Sequence, residues 1–96
     1  MYFTRNENFG YPTLTVHGSV CGPYWPDFVR ELKGFVATAT ERVGLDLSRV
    51  TRMNPPEAQF LMDMRNRLQR RGRTLSLVAL SPAAIEAIAN ANVPES

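Results

Sequence analysis

Short segments typical of β-strands alternate with amphipathic helical segments along this chain, and this alternation restricts the folds open to it. Residues 13–17, 42–47 and 74–80 read as strands, because they are rich in β-branched or alternating apolar residues. Between them, apolar residues recur at helical spacing. Strand, helix and strand in that order favour parallel pairing through right-handed crossovers, with helices covering the sheet.

The helical segments carry their own start and stop signals. The first begins near Tyr24 and shows one broad apolar stripe: Trp25, Phe28, Val29, Leu32, Phe35 and Val36. The second runs from about residue 55 to 71, and Gly72 is well placed to end it. Its inner stripe consists of Ala58, Leu61, Met64 and Leu68. The third begins at Pro82, with Ser81 as its N-cap.

A short first strand at residues 2–4 is separated from the second strand by the turn-forming residues 10–12. The element order is therefore β-β-α-β-α-β-α. This predicts an α/β fold with a mixed sheet of about four strands and three main helices.

Length and composition indicate one soluble domain covering residues 1–96. The chain has 96 residues, of which 44% are hydrophobic and 21% charged, as is usual for a globular domain. Cys21 is the one cysteine, which excludes an intramolecular disulfide and a cysteine-based zinc site within this chain. No apolar run approaches the roughly 20 residues needed to span a bilayer. The first residues lack the apolar core of a signal peptide, so we expect a cytoplasmic location.

Basic residues cluster in one short stretch, although the formal net charge is only +2. Five arginines fall within nine residues that contain no acid: Arg65, Arg67, Arg70, Arg71 and Arg73. Three interpretations stay open. The arginines form a solvated helix end favoured by the helix dipole, a patch for an acidic protein partner, or a nucleic-acid surface. We do not expect nucleic acid, because no aromatic residues interleave the arginines.

The start of the second helix reads Asn54-Pro55-Pro56-Glu57. Asparagine is a strong N-cap, and prolines in the first turn lack only N–H groups that a helix start leaves unpaired. Glu57 stands where a capping box places a carboxylate that accepts from the Asn54 N–H. The sequence therefore predicts a capping box here.

Several segments together resemble the STAS (anti-sigma-factor antagonist) family, over residues 13–93. They are Gly18 after a β-branched strand, residues 45–48 (Leu-Asp-Leu-Ser), the Asn54 segment, and residues 71–77 followed by Ser81-Pro82. The resemblance implies a STAS-like fold that binds partner proteins without catalysis. In the family, such partners are serine kinases that double as anti-sigma factors, stress-signalling assemblies, transporters, or lipid-transport ATPases.

The chain departs from the family at one chemically decisive point. In the antagonist branch the second helix opens with Asp-Ser-Ser-Gly, and phosphorylation of the second serine switches partner binding off. Here Asn54 and Glu57 replace the outer residues, and Pro55 and Pro56 replace the serines. Proline has no hydroxyl to accept a phosphoryl group, so we expect no phosphorylation at either proline.

Two alternatives to a lost switch remain. Ser48 and Thr51 lie nearby in a predicted loop at residues 48–53 and carry hydroxyls that a kinase could modify. The fixed charge of Glu57 could also imitate a phosphate in part, although helix capping alone explains this residue.

The resemblance places partner binding on the loop after the second strand and on the start of the second helix. The predicted partner-binding residues are Cys21, Gly22, Tyr24, Trp25, Asn54, Pro55, Pro56, Glu57, Gln59, Phe60 and Met62. Trp25 also belongs to the apolar stripe, so an inward position is the alternative for its ring. Phe60 and Met62 lie off the inner stripe of their helix, which favours the edge of a binding face.

No residue pattern indicates catalysis, a cofactor or a metal. His17 has no acidic or cysteine neighbour at ligand spacing, and no nucleophile–base set or phosphate loop is visible. We therefore predict a non-enzymatic regulatory adaptor of anti-sigma-factor-antagonist type, not switched at the usual serine. The alternative is an accessory subunit that docks on the ATPase of a lipid or solute ABC transporter. A homodimer stays open.

Overall fold

A computed structural model describes residues 1–7, 10–38 and 41–91 of the chain. The elements in chain order are β1 (Tyr2–Asn6), β2 (Thr13–Ser19), a short 3-10 helix (Gly22–Tyr24), α1 (Trp25–Thr38), β3 (Arg42–Arg52), α2 (Pro55–Arg70), β4 (Thr74–Leu80) and α3 (Pro82–Ala91). This confirms the predicted α/β fold and element order. Val93, at the end of the expected resemblance, lies outside the described residues.

The sheet is mixed, with strand order β1-β2-β3-β4. β1 pairs with β2 in antiparallel fashion, and the pairs β2–β3 and β3–β4 are parallel. Each parallel connection contains a helix, as the alternation predicted. α1 follows β2 and α2 follows β3, so both helices begin at the same edge of the sheet, where the parallel strands end.

One hydrophobic cluster joins the sheet to all three helices. In β2 all four residues 13–16 are buried, and in β3 residues 43–45 and 47 are buried. Neighbouring residues of a strand point to opposite faces, so both faces of this part of the sheet are shielded from solvent. The predicted inner stripe of α2 is confirmed, since all four of its members are buried. In α3 the buried residues are Ala84 and Ala87.

The structure corrects the predicted extent of β3. A loop was expected at residues 48–53, yet the strand continues to Arg52. Its extension pairs with the end of β2 through Gly18↔Val50, after one register shift, and through Ser19↔Arg52, after a second. Val50 is buried, so the extension gains both a ladder of hydrogen bonds and a core contact. Ser48 and Thr51 are therefore exposed strand residues, not loop residues.

The helix ends follow the sequence signals in two of three places. Gly72 has a positive φ of 73° directly after α2, a conformation that costs glycine little. Ser81 Oγ accepts a hydrogen bond from the Ala84 N–H at 3.1 Å, so this predicted N-cap is confirmed. At the start of α2, by contrast, the Asn54 side chain makes no cap hydrogen bond. Among the described residues, no helix is long and apolar enough to cross a bilayer.

Candidate functional site

Two segments that are far apart in sequence meet where the parallel strands end. Residues 21–25 follow β2, and residues 54–62 follow β3 and form the first half of α2. Because β2 and β3 are parallel neighbours, the segments that follow them leave the same edge of the sheet. We call these two segments together the candidate docking surface.

Cys21 links the two segments. Partial burial raises the pKa of its thiol above the usual value, and the Glu57 carboxylate raises it further, by accepting a hydrogen bond from the thiol and by its negative charge. The backbone N–H of Asn54 and the charge of Arg52 act in the opposite direction. On balance the pKa is raised, which disfavours the thiolate, the form in which a cysteine acts as a nucleophile.

This arrangement corrects the expected capping box. The Asn54 side chain caps nothing, and the Asn54 carbonyl instead accepts from the N–H groups of Glu57 and Ala58 at 3.1 and 3.2 Å. The carboxylate of Glu57 interacts with the Cys21 thiol. Asn54 has extended dihedrals (φ −103°, ψ 161°), as an N-cap residue should, so the helix start is where the sequence predicted it.

Aromatic rings join the segments a second time. Trp25 stacks on the fully buried Phe28, with 5.4 Å between ring centroids, and meets Phe60 of α2 edge-on at 5.2 Å. Trp25 and Phe60 are both half-buried and pack against the core. The neighbouring residue Tyr24, in contrast, has 44% of its surface exposed. Its ring is therefore more accessible to a partner than the ring of Trp25.

The other predicted site residues lie at the surface of the same region. Five are exposed: Gly22, Asn54, Pro55, Pro56 and Gln59. Met62 is half-buried and packs against the core. Gln59 donates a hydrogen bond to Asp63 Oδ1 at 3.0 Å, one helical turn further on.

No feature of the sequence indicated that α3 contributes to this region. A groove of about 230 Å³ runs between the start of α2 and α3. One wall consists of residues 51–55, and the other of Ala83, Glu86, Ala87 and Asn90. The groove places Thr51 and Asn54 beside the Glu86 helix face, and only the packing of α3 against α2 reveals it.

Outside this region, the His17 side chain contacts two residues of β1. Its ring stacks on Tyr2 with 4.1 Å between centroids, and its Nε2 lies 3.2 Å from Thr4 Oγ1. Within residues 1–7, 10–38 and 41–91, no group of three histidine, cysteine, aspartate or glutamate side chains could hold a metal ion.

The family model described as "Mlab, STAS domain" matches residues 3–94 of the chain. The chain therefore belongs to this STAS domain family. No curated protein and no solved structure matches it. STAS domains generally mediate protein–protein interactions in regulatory roles and are generally non-catalytic.

Proposed function

We propose that this protein is a regulatory adaptor that binds a protein partner through the candidate docking surface and is not switched by phosphorylation at the usual family serine. The observation that carries the proposal is the joining of residues 21–25 to the start of α2, through Cys21 with Glu57 and Trp25 with Phe60. Contacts of both kinds hold the two segments in one fixed arrangement. A surface fixed before binding loses less entropy when a partner docks.

The composition of this surface suits protein recognition. The Tyr24 ring is exposed, and the rings of Trp25 and Phe60 are half-buried. Partly exposed aromatic rings surrounded by polar residues are typical of binding hot spots. The two exposed prolines at the start of α2 keep a rigid backbone there.

Two classes of partner fit the proposal. The first is a serine kinase that doubles as an anti-sigma factor, which would make the protein an antagonist of that factor. The second is the ATPase subunit of a lipid or solute ABC transporter, for which the protein would be an accessory subunit. Pro55 and Pro56 favour the second class, because neither residue has a hydroxyl that a partner kinase could phosphorylate.

Site-specific photo-crosslinking in cells of the source organism tests the proposal. A benzophenone amino acid replaces Tyr24 in one variant and Gln59 in a second, since both side chains are exposed. The control variant carries it at Arg70, which is exposed at the far end of α2. We expect the same partner protein from positions 24 and 59 and a much lower yield from position 70.

Mass spectrometry of the crosslinked protein separates the two classes of partner. A kinase or sigma-factor regulator supports the antagonist function, and an ABC-type ATPase supports the accessory-subunit function. Equal yields from all three positions, or no adduct from positions 24 and 59, would show that partner binding does not use this surface.

A further inference from the structure

The arginines that cluster in the sequence separate in the folded protein. Arg65 lies beside β4, where it lines a concavity together with Arg73, Thr74 and Leu75. Arg73 also lines a second groove, between α1 and α2, together with Arg67 and Arg71. Arg70 is exposed on α2 and does not line this groove. Four of the five arginines are therefore divided between two concavities that share Arg73, and Arg70 lines neither.

The groove between α1 and α2 combines an apolar floor with a cationic rim. Its floor consists of Val36 and Ala37 from α1 and Met64 and Leu68 from α2. Its rim consists of Lys33, Arg67, Arg71 and Arg73, and no carboxylate of the described residues lines it. Its volume of about 260 Å³ is near the lower end of the range for small-molecule sites.

The helix dipole explains only part of this arrangement. Arg67 and Arg70 lie in the last turn of α2, where a cation is favoured by the dipole. Lys33 lies five residues before the end of α1, beyond the reach of that effect. The guanidinium of Arg73 donates a hydrogen bond to the Val36 carbonyl, which fixes this arginine against the groove from outside both helices. Cations from three segments thus surround one apolar floor.

We propose that the α1–α2 groove binds a small amphipathic anion, a carboxylate or phosphate carried on a short apolar chain. The apolar chain covers the floor around Met64 and Leu68, and the anionic group lies among the rim cations. Burial of the apolar chain and pairing of the anionic group with the rim cations both stabilise the bound ligand. Within residues 1–7, 10–38 and 41–91 no carboxylate lines the groove, so none of these residues places a fixed negative charge against the ligand.

This site is distinct from the candidate docking surface. The docking surface includes the first half of α2, whereas the groove is lined by its second half, from Met64 onward. With 16 residues, α2 is about 24 Å long. The groove and the docking surface therefore lie on different halves of α2.

NMR titration of the isotopically labelled protein tests the proposal. The probes are octanoate and octyl phosphate, each below its critical micelle concentration, with octanol and octyltrimethylammonium as controls of equal chain length. We expect the two anions to shift the amide signals of residues 33–37 and 64–73, and the two controls to shift them much less. The tighter of the two anions identifies the headgroup, a fatty carboxylate or a lipid-type phosphate. Equal shifts with octanol, or no shifts with either anion, would overturn the proposal.

Substitutions at exposed residues assign the binding to this groove. The double variant Arg67→Gln/Arg71→Gln should weaken anion binding about fivefold, within the range expected for the loss of two exposed charge pairs. The matched control Arg70→Gln removes an arginine from the same helix end and should change binding less than about twofold. Ala37→Leu fills the groove from α1 and should also weaken binding. Identical affinities in all these variants would contradict the site.

Discussion

The ring of Trp25, the first residue of α1, lies edge-on against the ring of Phe60 in α2, with 5.2 Å between the two centroids. Trp25 also stacks on Phe28, which is fully buried. The first turn of α1 and the second turn of α2 are therefore fixed to each other and to the core. Because the candidate docking surface spans both turns, its shape depends on this aromatic contact.

The energetic coupling between Trp25 and Phe60 is measurable. In a double-mutant cycle of Trp25→Ala and Phe60→Ala, we expect a coupling free energy of about 0.5–1.5 kcal/mol, the usual worth of an aromatic pair beyond its buried area. Urea unfolding of the four proteins gives this value. The control cycle pairs Tyr24→Ala with Phe60→Ala and should give a coupling near zero. Coupling as large in the control as in the test cycle would argue against a specific ring contact.

The two predicted N-caps should differ in their contribution to stability. Ser81→Ala removes a side-chain hydrogen bond to the Ala84 N–H and should lower the free energy of unfolding by about 1 kcal/mol. Asn54→Ala removes no cap hydrogen bond and should change it by less than about 0.5 kcal/mol. Chemical denaturation of both variants measures the difference. Equal losses would mean that the Asn54 amide does cap α2 in solution.

The sequence predicted those features of the fold that depend on neighbours along the chain. Apolar spacing located the helices, and Gly72 and Ser81 marked helix ends that the structure confirms. The predicted length of β3 was too short, because the extension of this strand is stabilised by pairing with β2, for example Gly18↔Val50. A propensity argument confined to residues 48–52 cannot include that partner.

The same limitation applies to the candidate site. Spacing correctly placed the start of α2 after Asn54, but the predicted capping box is absent: the Asn54 side chain makes no cap hydrogen bond, and the Glu57 carboxylate has a partner outside the helix. That partner, Cys21, becomes a neighbour only when β2 and β3 pair in parallel. The groove with α3 and the separation of the arginines likewise arise from helix packing, which local spacing does not specify.

The contact between Cys21 and Glu57 predicts a pH-dependent reactivity. Burial and the Glu57 carboxylate raise the pKa of the thiol, so less thiolate is present at neutral pH than in a free cysteine, and alkylation by iodoacetamide should be slow. Glu57→Gln removes the negative charge, which lowers the pKa. The curve of alkylation rate against pH should therefore shift to lower pH, and Glu41→Gln, an exposed change elsewhere, should leave it unchanged. An unshifted curve in Glu57→Gln would contradict the contact.

A carboxylate at residue 56 should affect stability and partner binding in opposite directions. Pro56 is exposed in the first turn of α2, so Pro56→Glu places a negative charge near the positive end of the helix dipole. Relative to the neutral control Pro56→Gln, we expect the free energy of unfolding to rise by about 0.3–1 kcal/mol. We also expect partner capture by a photo-crosslinker at Gln59 to fall, because in STAS antagonists a phosphate at this position abolishes binding. Urea unfolding and crosslinking yield test the two effects separately. Undiminished capture in Pro56→Glu, in a variant that unfolds as expected, would show that this end of α2 does not contact the partner.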